Sequence, residues 1–335
     1  MPTACILQKG AQIRLKSERL EVWAVPEGGT MPSCLRTLPL HDLERVILKE
    51  GSQISSESLS ALLRADIPIS LLGWNDRFIG GFLPPTNKHG LWRLRQYERS
   101  LSADFVLHIA RRLVLAKIAN QRRVLQRLAA NRSLSISEDL AFLQTMRDMA
   151  VRATSLDEVR GYEGAAAARY FQTWAGFLPE KFPFERRSTR PPLNAVNACI
   201  SFGATMIYQE AVAVTHAHGL DSALGMLHAT EDGRWSLALD LIEPFRPVLV
   251  EALTLDLFTH SMVDESCFRP HEGGIYLSEK GRRVFVLQYE RRMDRQFMSE
   301  HAGHRTTLRD QLADLATQFK AAIENPERFL PFEMN

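Results

Sequence analysis

Up to about residue 83, apolar positions alternate with polar ones over short runs. Ile13 and Leu15 flank Arg14, Leu20-Glu-Val-Trp-Ala-Val25 is rich in strand formers, and Val46-Ile-Leu48 follows a turn-like region around Pro39. A period of two over such short runs predicts half-buried strands. Ser55 to Arg64 interrupts them: capping serines precede Leu59, Leu62 and Leu63 at helical spacing, which predicts one short helix. Ile67-Pro-Ile-Ser-Leu-Leu72 and Phe78-Ile-Gly-Gly-Phe-Leu83 then flank Gly73-Trp-Asn-Asp-Arg77, a hairpin around an Asn-Asp turn.

Pro84-Pro-Thr-Asn-Lys-His-Gly90 has the composition of a linker, and past it the period becomes helical. Segments at about 97–130, 137–153, 156–177, 193–218, 236–260, 278–295 and 306–324 carry the spacing seen in Phe105, Ile109, Leu113 and Ala116. The expected architecture is α+β. A small, β-sandwich-like N-terminal domain with one short helix covers 1–83, a linker 84–96, and a larger all-helical domain 97–335. There is no internal repeat and no low-complexity tract.

Composition sharpens this only in places. With 45% hydrophobic and 24% charged residues the chain reads as globular, and no apolar run approaches a membrane span. The start lacks the layout of a signal peptide, so the expected compartment is the cytoplasm. Cys5, Cys34, Cys199 and Cys267 are widely spaced, which argues for reduced thiols rather than a zinc knuckle or redox dithiol. The net charge of +2 conceals an asymmetry: Leu91 to Arg132 holds ten Arg or Lys against Glu98 and Asp104. That segment alone carries about +8, a localised surface suited to a polyanion. Arg93, Arg95, Arg111, Arg112, Arg122 and Arg123 are its candidate DNA contacts, with a solvated helix face as the alternative. Trp92 and Tyr97 within it suit either base stacking or core packing.

Candidate chemistry concentrates in Leu239-Asp-Leu-Ile-Glu-Pro-Phe-Arg-Pro247. Asp240 and Glu243 are three apart, on one face of a helix that Pro244 disturbs. With His228 upstream and Glu163 in Gly161-Tyr-Glu163-Gly164, the chain offers carboxylates and one imidazole. Such a hard oxygen and nitrogen set suits Mg²⁺ or Mn²⁺ and phosphoryl transfer. Each residue also has a plainer explanation: a helix-dipole position for Glu163, a hydrogen-bonded histidine at 228, an ion pair between Glu243 and Arg246. His271-Glu-Gly-Gly274, metal-like at first sight, reads as a loop.

These motifs, taken in order, resemble a known family. Lys117-Ile-Ala-Asn-Gln121, Gly161-Tyr-Glu163-Gly164-Ala-Ala, Pro192-Leu-Asn194, Gly219-Leu-Asp, Leu224-Gly-Met-Leu-His228, the 239–247 nonapeptide, Leu277-Ser-Glu-Lys-Gly-Arg-Arg283 and Tyr289-Glu290 are similar to the Cas-one family of CRISPR-associated endonucleases, the integrases of CRISPR adaptation. Leu38-Pro-Leu40, Val46-Ile-Leu48 and Ile67 to Leu72 extend the resemblance into the β domain. It implies a homodimer formed largely through the β domains, a small Cas-two partner, and double-stranded spacer and repeat DNA as substrates. It implies Glu163, His228 and Glu243 as metal ligands, Asp240 as an auxiliary acid, and attack of a spacer 3′-hydroxyl on a phosphodiester at the repeat boundary. A repair nuclease or transposon-type integrase of the same fold, or a non-catalytic nucleic-acid scaffold, are the competing expectations.

Overall fold

Residues 3–8, 10–26, 29–84, 89–132, 135–300 and 302–335 are described in a computed structural model of the chain. The alternating N-terminal segment forms β1 (Thr3–Ile6), β2 (Gln12–Lys16), β3 (Arg19–Ala24), β4 (Ser33–Pro39), β5 (Arg45–Lys49) and β6 (Gln53–Ile54), then helix α1 (Ser56–Arg64), then β7 (Ile69–Leu72) and β8 (Phe78–Phe82). They make two four-stranded sheets, ordered β1-β5-β7-β8 and β4-β3-β2-β6. Apolar residues of both sheets, among them Ile6, Val46, Leu48 and Ile69 from one and Ile13, Leu20 and Val22 from the other, join Leu62 of α1 in a single buried cluster. Ser55 starts α1 as anticipated, its hydroxyl accepting from Ser58 N at 3.1 Å. The 67–83 hairpin is present, β7 pairing antiparallel with β8.

Contacts divide the chain into one unit over Met1–Thr86 and another over Asn87–Asn335. Residues 85–88 of the expected linker lie outside the described residues. The rest of the 84–96 assignment needs correction, because helix α2 (Gly90–Ser100) already occupies 90–96. The single helix expected at 97–130 is instead α2 followed by α3 (Ala103–Arg132). Between them Ser102 accepts from Phe105 N at 3.4 Å, a side-chain bond that stops one helix and starts the next.

The second unit continues with α4 (Ser137–Arg152), α5 (Leu156–Ala175), α6 (Ala195–Ala217), α7 (Ser236–Ile242) and α8 (Ala252–Thr259). The expected 236–260 helix is broken at Glu243–Phe245 and resumes as a π-helical stretch over Arg246–Glu251 before α8. Wide-turn segments of this kind are frequent at functional sites, and this one begins three residues after Glu243. The all-helical expectation fails in two places. Strands β9 (Phe268–His271) and β10 (Gly274–Leu277) form a hairpin, as do β11 (Phe297–Ser299) and β12 (His304–Thr306). Each strand is too short to show a period, so only turn residues could have signalled them. Glu272 and Gly273, both at positive φ (44° and 75°), supply the first turn between His271 and Gly274. Helices α9 (Glu279–Met293) and α10 (Leu308–Ala322) complete the unit, α10 opening on a Thr307–Asp310 capping box. No helix among the described residues is long and apolar enough to cross a membrane.

Candidate active site

Helix α3 is the spine on which the candidate residues assemble, packed against α4, α5 and the π segment. Its buried stripe runs through Leu113, Ala116, Lys117, Asn120 and Val124, so two polar side chains occupy positions that the helical period assigns to the core. On α5 the stripe is Val159, Ala166, Tyr170 and Trp174, and Glu163 falls on the same line, one turn after Val159. The two stripes meet at Lys117 and Glu163.

The Lys117 ammonium is ion-paired with Glu163 Oε1 and lies 2.5 Å from Glu243 Oε2. The side chains of Lys117 and Glu243 are 8% and 3% exposed, so this is a pairing inside the protein rather than on its rim. Arg246 Nη1 donates to the other Glu243 oxygen at 2.9 Å. Burial by itself would raise the Glu243 pKa, but Arg246, Lys117 and His228 together hold its carboxyl well below the usual range. Burial likewise works against the Lys117 charge, and Glu243 and Glu163 outweigh it, leaving that pKa raised.

Asp240, fully buried on α7, holds the histidine. Its carboxylate accepts from the backbone N–H groups of Met226 (2.5 Å), Leu227 (3.0 Å) and His228 (2.9 Å) and from His228 Nδ1 at 2.7 Å. The imidazole is thereby fixed as the Nδ1–H tautomer, with Nε2 as its remaining nitrogen. Burial pulls the His228 pKa down, while the Asp240 hydrogen bond and the charges of Asp240 and Glu243 push harder and leave it raised. Arg160 of α5 donates to Leu227 O at 2.8 Å, tying the histidine loop to the Glu163 helix.

Gly225 is required for that loop. A Cβ there would stand 2.3 Å from His228 O and 2.6 Å from Ser236 Cβ, and a backbone oxygen cannot step aside without carrying His228 with it. Gly225→Ala is expected to lose about 2 kcal/mol of stability and to displace His228, measurable as a shifted denaturation midpoint together with weakened Mn²⁺ binding.

The sequence-predicted residues are thus brought together in pairs: Glu163 and Glu243 across one ammonium, His228 and Asp240 by a hydrogen bond. Among the described residues no three His, Cys, Asp or Glu side chains stand close enough to hold one metal ion. The donor chemistry nevertheless fits a divalent ion. Two carboxylates already share one cation, and the histidine has its Nδ1 committed to a carboxylate in the manner of metal-bound imidazoles.

Two residues of the Lys117–Gln121 motif have a place at the site that sequence reasoning does not assign. The charge count puts Lys117 in the basic segment, yet it is buried between carboxylates. Asn120, fully buried, donates to Pro244 O at 2.7 Å and to Phe332 O at 3.0 Å and accepts from Met334 N at 2.6 Å, pinning the break after Glu243. Phe332 adds to this by stacking on Phe245. Polar residues on an apolar stripe were the signal.

The six arginines proposed as DNA contacts do not gather around the carboxylates. Arg95 pairs with Glu324 and Arg112 with Glu327, both at exposed positions. Arg111 donates to Ala153 O, Arg122 to Leu140 O and Arg123 to Asn335 O, so these three stitch α3 to the start and end of α4 and to the last residues of the chain. Arg93 acts electrostatically on Tyr97. Tyr97 bonds Asp221 through its hydroxyl, and Trp92 lies beneath the charges of Arg95 and Lys320, so neither is a core residue.

Comparison with known proteins bears on what this arrangement does. A family model described as CRISPR associated protein Cas1 matches residues 4–291. A CRISPR-associated endonuclease Cas1 of Thermodesulfovibrio yellowstonii is 32% identical over 302 residues, covering 88% of this chain and 92% of that protein. Among solved structures, a casposase bound to integration product superposes with a TM-score of 0.90 at 20% identity, covering 100% of this chain and 95% of that one, which establishes the shared fold. A Cas6-RT-Cas1–Cas2 complex superposes with a TM-score of 0.80 at 25% identity, over 99% of this chain and 36% of its counterpart.

Proposed function

Because the chain belongs to the CRISPR-associated protein Cas1 family, we propose that it is a divalent-metal-dependent DNA endonuclease and integrase that inserts spacer DNA into a CRISPR array. Glu163, His228 and Glu243 hold the ion, Mg²⁺ or Mn²⁺, and Asp240 orients the histidine. The observation that carries this reading is the convergence of Glu163 and Glu243 on a single buried cation. A non-catalytic scaffold has no use for two carboxylates drawn into one desolvated point, since a buried ion pair adds little stability over an apolar contact.

The bound ion would supply Lewis acidity at the scissile phosphate and a charge against which the attacking oxygen can ionise. What the chain itself contributes is arrangement. Arg246 keeps Glu243 ionised and directed, while Asp240 fixes the tautomer of His228. The π segment and Asn120 hold the turn that carries Glu243 against α3. In the reaction one P–O bond forms to the 3′-hydroxyl oxygen of the incoming strand and one P–O bond to the target strand breaks, with water replacing the hydroxyl when no donor end is present. The chain works as a homodimer formed through the β units and with a Cas2 partner; the second of these is supported by its similarity to the chain in the Cas6-RT-Cas1–Cas2 complex.

The test is a strand-transfer assay with a supercoiled, repeat-bearing plasmid and a short duplex, in the presence of a Cas2-type partner. Branched product is expected with Mn²⁺ and a 3′-hydroxyl, with none in a chelator. A 3′-dideoxy duplex is expected to give only nicking. Product formation from dideoxy ends, or in the chelator, would sink the proposal; nicking alone under all conditions would favour a repair nuclease of the same fold.

A further inference from the structure

Lys117 carries a consequence for the site that rests on reading Glu163 and Glu243 as metal-holding carboxylates. Its ammonium is shared between them, on Glu163 Oε1 and Glu243 Oε2, while Arg246 takes Glu243 Oε1 from the other side. Lys117 lies on the buried stripe of α3, and only 8% of the side chain is exposed. Placing a charge there has a large desolvation cost, which the two carboxylates offset.

A divalent ion held by Glu163 and Glu243 needs the same oxygens. Arg246 already holds Glu243 Oε1, so Oε2, the oxygen on which Lys117 sits, is the one left for a metal, and at that shared oxygen the doubly charged ion outcompetes the ammonium. We infer that Lys117 is the resident counter-ion of this site: it holds Glu163 and Glu243 together in the metal-free protein, and the metal binds by displacing it from at least one of the two carboxylates. Metal uptake is therefore an exchange of cations. Lys117 lowers the intrinsic affinity of the site and in return keeps the carboxylate pair from repelling when no metal is present. A lysine suits this exchange better than an arginine, since its flexible four-carbon stem lets a point charge swing away without moving the backbone. Arg246 remains on Glu243 throughout, so the carboxylate keeps one partner during the exchange.

The experiment is calorimetric titration of the full chain with Mn²⁺, comparing wild type with Lys117→Met and Glu243→Gln. Lys117→Met is expected to bind Mn²⁺ about tenfold or more tightly than wild type, with a lower metal-free Tm and a larger rise in Tm at saturation. Equal or weaker binding by Lys117→Met overturns the inference while leaving the metal site standing if Glu243→Gln has lost binding. Wild-type affinity in Glu243→Gln overturns the site assignment and this inference with it. Should Lys117→Met fail to fold without metal, crystals of the wild-type chain with Mn²⁺ give the answer. Movement of Nζ beyond about 4 Å from at least one carboxylate is expected. Retention of both ion pairs beside a bound ion would overturn the inference.

Discussion

Glu243→Ala is expected to abolish strand transfer, lowering its rate at least about a thousandfold, the scale set by losing several kcal/mol of metal-supplied stabilisation at a reacting phosphate. The same substitution also breaks a buried charge cluster: Lys117 is left with Glu163 alone, and Arg246 with the negative charge of buried Glu251. That loss is worth about 3–5 kcal/mol of folding stability, so inactivity by itself would be ambiguous. A double-mutant comparison separates the two effects. Glu243→Gln removes the charge but keeps the volume, and adding Lys117→Met removes the cation it left behind. The double variant is expected to regain much of the stability lost in Glu243→Gln, read from denaturant midpoints, while remaining inactive. Activity returning together with stability would mean that Glu243 serves only as a structural counter-charge. Glu163→Ala and His228→Ala are expected to be comparably inactive, with smaller losses of stability, because their side chains are 23% and 33% exposed.

How much of this site was legible in the sequence depended on what each residue's neighbours were. Asp240 and Glu243 were recognisable as a pair because they lie three apart before a proline, and their place in the fold follows from that spacing. Spacing puts the two on one helical face, but the fold turns them apart. Asp240 turns toward the backbone of the 226–228 loop, whereas Glu243 sits where α7 ends and points at α3. Helical periodicity describes a regular helix, and the break at Glu243–Phe245 together with the π segment is what divides the two carboxylates. Lys117 illustrates the opposite limit. Counting charges between Leu91 and Arg132 treated it as one more basic residue, although its position on the Leu113–Val124 stripe already placed it inside. The hydrophobic pattern carried more information there than the charge count. The basic segment offers DNA contacts or a solvated helix face, and five of its six candidate arginines also bond residues that sequence proximity does not reveal, among them Glu324, Glu327 and Asn335, more than 200 positions away. Long-range partners of this kind are invisible to local pattern.

Asp240→Ala is expected to destabilise the fold as much as Glu243→Ala does. Its carboxylate satisfies three consecutive backbone N–H groups and the His228 ring, all from a fully buried position. An apolar side chain of smaller volume would leave those donors without partners, at about 1–3 kcal/mol for each that cannot find water. Partial relaxation of the loop limits the sum, and a loss of about 3–5 kcal/mol is the expected result, measured by urea or guanidinium unfolding. Asp240→Asn is the more informative variant. It keeps the shape, but its amide NH₂ must face at least one of the N–H groups that now point at a carboxylate oxygen, and it cannot offer the charge that holds the imidazole as the Nδ1–H tautomer. With most of the fold retained, Mn²⁺ affinity and strand transfer are each expected to fall about 10–100-fold, the range for losing the carboxylate partner of a metal-binding histidine. If Asp240→Asn instead kept Mn²⁺ affinity and transfer within about twofold of wild type while losing stability, the orienting role would be excluded. Asp240 would then be a structural anchor for the 226–228 loop, and the alignment of His228 would have to come from Gly225 and from the Arg160 bond to Leu227.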